Sequence, residues 1–202
     1  MWLSVGRAAG LSAAVAAAEK GVKKIVILEA RGLVGGNAKF VKGIFAAESR
    51  LQKGLGIDAP RDGLFRKAMD YAHWKTNPRL VRALVDKSGD TIAWLEEKGM
   101  QFDWIPPLYP GQDPLVFHFH KTPEETGPKF VQAFEQRCAN SGINIFLKTR
   151  AQSLLTDNKG KIAGILAENK DKERKITAKT VIIATGGFCR KPDTFKKVSS
   201  FI

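Results

Sequence analysis

The stretch "SVGRAAGLSAAVAAAEKGVKKIVILEA", residues 4–30, constrains the fold more than any other part of the chain. A very short apolar start (1–4) meets a glycine-containing turn, and "AAGLSAAVAAAEKG" follows, rich in the strongest helix former and closed by Gly21. "KKIVILEA" (23–30) is then a run of aliphatic and β-branched residues that reads as a buried parallel strand. Strand, turn, helix and strand in this order make one βαβ unit, whose crossover is right-handed in nearly all proteins. The turn approximates G-x-G-x-x-G, with Val5, Arg7 and Gly10 at its three glycine positions. A βα turn of this kind presents the helix N-terminus, with its unpaired N–H groups, to phosphate.

Further along, "RGLVGGNAKFVKGIFAAES" (31–49) is a glycine-punctuated loop leading into a helix. Residues 60–103 carry helical patterning. Leu80, Leu84, Ile92 and Leu95 fall on helical spacing, with Pro78 near a start and Gly99 at a stop. Four prolines in "WIPPLYPGQDP" (104–114) exclude regular structure. An amphipathic helix over 125–142 precedes a strand at 143–149. Two or three alternating strands follow, with "DNKG" (157–160) as a hairpin turn, and "VIIATGG" (181–187) is a last apolar strand running into a glycine pair.

The balance of 33 Lys+Arg against 20 Asp+Glu gives +13. The basic residues are dispersed and mixed with acids, without a basic block interleaved with aromatics, so a nucleic-acid partner is not expected. No apolar run approaches the roughly 20 residues that span a bilayer, and the alanine-rich start lacks the pattern of a secretion signal. The expected compartment is cytoplasmic, with Cys138 and Cys189 as reduced thiols. His118 and His120, two apart, would share one face of a strand but lack a third ligand nearby, so no metal is expected. His73 reads as a packed helix residue, and Cys189 as a small buried one.

Four pieces carry chemistry together. They are the turn ending in Gly10, Glu29 at the end of the second strand and 19 residues beyond Gly10, "GGNA" at 35–38, and "ATGG" at 184–187. An acid at that distance is placed to accept hydrogen bonds from an adenosine ribose, and glycines at the carboxyl edge of parallel strands lie where ligands of open α/β sheets bind. Each is weak alone; in this order and on these elements they favour a dinucleotide site. A plain nicotinamide-binding domain needs neither "GGNA" nor "ATGG" at those places.

With "AGLSAAVAAAEKG" (9–21), "ILEA" (27–30), "GGNA" and "VIIATGGF" (181–188), the chain resembles the flavoprotein subunits of fumarate reductases and succinate dehydrogenases and their ketosteroid dehydrogenase relatives. The resemblance implies an α/β fold: a Rossmann-like FAD-binding domain with a parallel sheet, an antiparallel β-meander and inserted helices. Residues 1–202 would form a single partial domain, incomplete at both ends. Its parts would be 1–44 (βαβ start and GGN loop), 45–135 (helical insertion) and 143–202 (strand, meander and ATGG turn). It further implies FAD as cofactor. Gly6, Ala9 and Gly10 would lie around the diphosphate, Glu29 at the ribose and Ala30 beside adenine. Gly35, Gly36, Asn37, Ala38 and Gly43 would approach the ribityl–isoalloxazine side. Ala151 would contact adenine through its backbone, and Ala184, Thr185 and Gly186 would close over the cofactor.

The activity so implied is hydride transfer between flavin and an activated C=C bond of a small dicarboxylate or enone-like substrate. The partners would be an electron-transfer protein or a second copy of the chain. His118 or His120 would line the flavin edge. No catalytic residue can be carried over onto this sequence, so the cofactor-binding half of such an enzyme is the expectation, and a truncated non-catalytic module is the rival. Two departures from the fingerprint stand out. A β-branched Val5 would be strained at positive φ, and Arg7 puts a long side chain where glycine lets backbone approach the diphosphate. Weakened FAD binding is expected, with the Arg7 guanidinium able to pair with phosphate instead.

Overall fold

A computed structural model describes residues 2–170 and 172–187, with no side-chain account for 2–5. In chain order its elements are β1 (Trp2–Val5), α1 (Ala8–Glu19), β2 (Ile25–Leu28), a 3-10 turn (Gly36–Phe40) and β3 (Gly43–Phe45). Then come α2 (Arg50–Gly54), α3 (Arg61–Tyr71), α4 (Pro78–Glu97), β4 (Phe117–Phe119) and α5 (Thr126–Asn140). The chain continues through β5 (Asn144–Phe146), β6 (Arg150–Thr156), β7 (Ile162–Asn169), β8 (Lys172–Thr177) and β9 (Thr180–Val181). These elements fall into two compact units, residues 1–37 with 135–202, and residues 38–134.

The first unit holds a four-stranded sheet in the order β5-β2-β1-β9, parallel throughout. β2 lies between two neighbours, and all four of its residues are buried, which is why an uninterrupted "IVIL" forms it. α1 crosses from β1 to β2 on a face of Gly10, Leu11, Ala14, Val15 and Ala17. Gly21, at φ +83°, ends it in the left-handed conformation, and the Val22 N–H returns to the Ala17 carbonyl at 3.1 Å. The meander β6-β7-β8 is antiparallel. Its first turn is held by Asp157, whose Oδ1 accepts from the N–H groups of Lys159 (2.8 Å) and Lys161 (2.9 Å). Ile165 and Ala167 pack with Val26, Leu28 and Ala178, joining the meander to the parallel sheet.

The second unit centres on Ala47, Ala59, Leu64, Val85 and Val116. Helical patterning over 60–103 becomes α3 and α4, the latter capped by the Asn77 side chain accepting from the Arg79 N–H at 3.0 Å. Leu80 and Leu84 are 70% and 64% exposed, contrary to the stripe expected from their spacing. The buried stripe is Val85, Ser88, Gly89, Ile92 and Leu95. Two of its members are small because α4 lies directly on backbone there: a Cβ on Gly89 would sit 2.5 Å from the Ala47 carbonyl oxygen, and Ser88 Oγ accepts from the Ala47 N–H.

Three other expectations change. The segment read as helical also holds an antiparallel pair, β3 with β4, where Gly43 faces Phe119. The final strand is only Thr180–Val181. Its partner β1 is itself four residues long, and Gly186 at φ +76° departs from extended backbone. His73 is not a packed helix residue. It follows α3, exposed, at φ +49°, and with Trp74 at φ +56° forms the left-handed stop whose N–H groups return to Asp70 and Met69. Cys189 and Phe188 lie outside the described residues. Cys138 is buried with a free thiol, which burial and then the nearby Glu135 push up to about 11.

Candidate functional site

At the carboxyl ends of β1 and β2 the first unit gathers several polar groups. Val5 is the last residue of β1, in register with Leu28, so its backbone is extended and the expected positive-φ strain does not arise. Gly6 follows, its N–H bonded to the Leu28 carbonyl at 3.1 Å and its carbonyl accepting from the Gly35 N–H at 2.6 Å. A Cβ here would lie 2.8 Å from Val34 Cγ1 and 2.9 Å from Glu29 Cβ. Gly6 is therefore required for three chain segments to converge, as well as standing in the turn.

Arg7 occupies the N-cap of α1 with extended backbone (φ −90°, ψ 174°) and bridges Gly35 in parallel fashion. The first bond of α1 runs from the Leu11 N–H to the Arg7 carbonyl, leaving the N–H groups of Ala8, Ala9 and Gly10 without intrahelical acceptors. Among the described residues no side chain caps them, and no acid stands in the first turn of α1 to offset the positive end of the helix dipole. Ala9 is exposed and Gly10 buried, which puts the open donor at Ala9 and the close packing at Gly10.

Glu29, at the end of β2, is only 6% exposed. Its position is fixed from both sides: its N–H donates to the Phe146 carbonyl, and its carbonyl accepts from Thr149, each at 2.9 Å. Oε1 accepts from the Arg31 N–H at 2.9 Å, while Oε2 has no hydrogen-bond partner among the described residues. A half-satisfied carboxylate in this position calls for donors from outside. Ala30 beside it is exposed.

Gly35 (φ +95°) and Gly36 (φ +52°) make a left-handed pair that L side chains rarely adopt. Gly36 and Gly186 both face the Arg7 side chain. Ala184 is buried, while Thr185 and Gly186 are exposed in the irregular segment after β9. The structure thus brings together Gly6, Arg7, Gly10, Glu29, Gly35, Gly36 and Gly186. Asn37 is exposed at the end of this unit. Ala151 pairs with Ala167 in the meander and packs on the Val26–Leu28 cluster.

Ala38 and Gly43 belong to the second unit. The Phe119 ring lies 2.6 Å from where a Cβ on Gly43 would be, so ring packing accounts for this glycine. His118, also there, is fully buried rather than lining a ligand edge. Its Nε2 is 2.6 Å from Ser49 Oγ, and its Nδ1 is 3.3 Å from the carbonyls of Ile44 and Val116. Carbonyls only accept, so the proton belongs on Nδ1 and Ser49 donates to Nε2. Burial holds this imidazole below the usual histidine range. His120 lies past the end of β4, and its Nδ1 accepts from the Thr122 N–H at 3.3 Å.

An uncapped helix start, a half-satisfied acid and left-handed glycine turns fit the phosphate, the ribose and the close approach of an adenine dinucleotide. The sequence model of the FAD binding domain family matches residues 6–201. The chain belongs to this family. FAD is accordingly its cofactor, and the residues present fit it.

Among curated proteins, the chain is similar to a vinyl phenol reductase of Lactiplantibacillus plantarum (26% identical over 96% of this chain). It is also similar to a fumarate reductase (cytochrome) of Shewanella frigidimarina (29% over 94%) and an NADH:fumarate oxidoreductase of Klebsiella pneumoniae (28% over 89%). The chain spans 39%, 33% and 19% of those three relatives. Among solved structures, a flavocytochrome c3 fumarate reductase in its open conformation superposes with TM-score 0.88 at 23% identity. That match covers 98% of this chain and 35% of the other. A 3-ketosteroid-delta4-(5alpha)-dehydrogenase from Rhodococcus jostii gives 0.84 at 20%, over 97% and 47%. These likenesses establish the α/β FAD-binding fold with its parallel sheet and meander. Among the described residues, no helix is long and apolar enough to cross a membrane.

The placement of Glu29 is visible in the sequence because an acid ends an apolar strand 19 residues beyond Gly10. The convergence of Arg7 with Gly36 and Gly186 is not, because it joins segments 29 and 179 residues apart.

Proposed function

We propose that this chain is the cofactor-binding part of a flavin-dependent reductase of the fumarate reductase flavoprotein type. The observation that carries the proposal is Glu29, buried at the end of β2 with Oε2 open, beside the uncapped start of α1. In this role Glu29 accepts the ribose hydroxyls and the N–H groups of Ala9 and Gly10 hold the diphosphate, with Gly6 keeping the turn close to β2. Ala30 flanks adenine and Ala151 meets it through backbone. Gly35, Gly36 and Asn37 serve the ribityl–isoalloxazine side, and Ala184, Thr185 and Gly186 close over it. The 38–134 unit is then an insertion within one FAD-binding domain.

Bound FAD supplies hydride chemistry toward a C=C bond activated by a carboxylate or ketone, and the protein positions it and excludes competing reactions. The names fumarate reductase and NADH:fumarate oxidoreductase among the relatives support a small dicarboxylate substrate, and an enone-like one is the alternative.

The test is the absorbance spectrum of the 202-residue chain after incubation with FAD and desalting. Retained flavin bands are expected, and a colourless protein overturns the assignment. Reduction of the loaded protein, followed by fumarate or an enone, tests the activity. Reoxidation no faster than in buffer alone removes catalysis from this chain and leaves the cofactor site.

A further inference from the structure

Position 7 breaks the glycine fingerprint, and the structure shows what stands there instead. Arg7 has extended backbone, so nothing in its φ and ψ demands glycine. Its side chain runs along the left-handed glycine turns. Cγ lies 3.2 Å from where a Cβ on Gly36 would be, while Cδ and Cζ are 2.8 Å, and Nη1 2.5 Å, from the same point on Gly186. A side chain at either glycine would displace it.

Arg7 is half-buried, and no acceptor among the described residues bonds its guanidinium. The same corner holds the N–H groups of Ala8, Ala9 and Gly10, without acceptors among the described residues, and no acid in the first turn of α1. The nearby carboxylate, Glu29, is bonded instead to the Arg31 N–H. A partly desolvated guanidinium with no acceptor among the described residues, next to a helix start with no acid in its first turn, favours an anionic ligand. A guanidinium fork matches pairs of phosphate oxygens, with shorter and stronger bonds than a neutral donor makes.

We propose that Arg7 is a diphosphate-binding residue, its guanidinium donating to the dinucleotide's phosphate oxygens and replacing by charge the close backbone approach that a glycine allows. This rests on the FAD assignment above. It makes the affinity of the site depend on the diphosphate and on salt to a degree that a glycine turn does not require.

Fluorescence and calorimetric titrations of FAD, ADP and adenosine into the 202-residue chain, at low and physiological salt, test it on the wild type, Arg7→Ala and Arg7→Lys. Loss of one charge-assisted hydrogen bond predicts that Arg7→Ala weakens FAD and ADP about tenfold or more. Adenosine binding is expected to be unchanged and the salt dependence flatter, with Arg7→Lys recovering part of both. Circular dichroism melts confirm that the variants fold. FAD and ADP binding as tight or tighter in Arg7→Ala overturns the proposal, because the side chain would then be an obstruction. Wild type that binds adenosine but not ADP also overturns it, while leaving the ribose assignment standing. If no form binds any of the three ligands, the FAD assignment itself fails.

Discussion

Gly6 shows how one residue can serve both packing and a site. A methyl group there would press on Val34 Cγ1 and on Glu29 Cβ, and the latter cannot yield without moving the end of β2. Gly6→Ala is expected to cost about 1–3 kcal/mol, the range for overpacking, in urea unfolding followed by circular dichroism. It should also weaken FAD binding, since Glu29 moves. An unchanged unfolding midpoint would mean that the turn relaxes freely. Placement of Gly6 in the turn is legible from the sequence, but its packing role is not, because Val34 is brought to it only by the return of the loop after β2. Val5 taught the opposite: a residue suspect by its side chain turns out to sit in ordinary strand conformation, because the turn begins one residue later.

Between elements, the sequence and the structure agree where hydrophobicity reports burial and part where small or polar residues make the contact. β2 follows the first rule, since "IVIL" is buried throughout, and in β7 Ile165 and Ala167 follow it while Ile162 is exposed. α4 follows the second, with Ser88 and Gly89 against the Ala47 backbone and two leucines left outside. Leu84→Ser should therefore change stability by no more than about 0.5 kcal/mol, whereas Ile92→Ala should cost about 2–5 kcal/mol. Denaturant midpoints of the two variants decide whether this assignment of faces is right.

The link from β4 to the start of α2 is polar: His118 meets Ser49, whose Oγ also accepts from the Gln52 N–H at 3.0 Å. Burial lowers the pKa of His118 in the folded state. The unfolded chain therefore binds the proton first as pH falls below about 6.5, and stability drops from there toward the lowered folded value. A thermal midpoint measured between pH 7.5 and 5.5 should fall in the wild type and fall less in His118→Gln. Equal slopes would contradict the buried neutral imidazole.

At the scale of the whole chain, the parallel sheet, meander and family were legible because several ordered motifs had to agree. Neither the β3–β4 pair nor the brevity of β9 could be read, since short strands depend on partners far along the chain. A βαβ start that ends in an uncapped helix and a half-satisfied acid, within a family that binds FAD, makes cofactor capture the central claim. Isothermal titration of FAD into the 202-residue chain and its Glu29→Ala variant tests that claim most directly. One saturable site, weakened about tenfold or more by the variant, is predicted, as for lost hydrogen bonds to a charged acceptor. No binding, or equal affinity for both proteins, would contradict it.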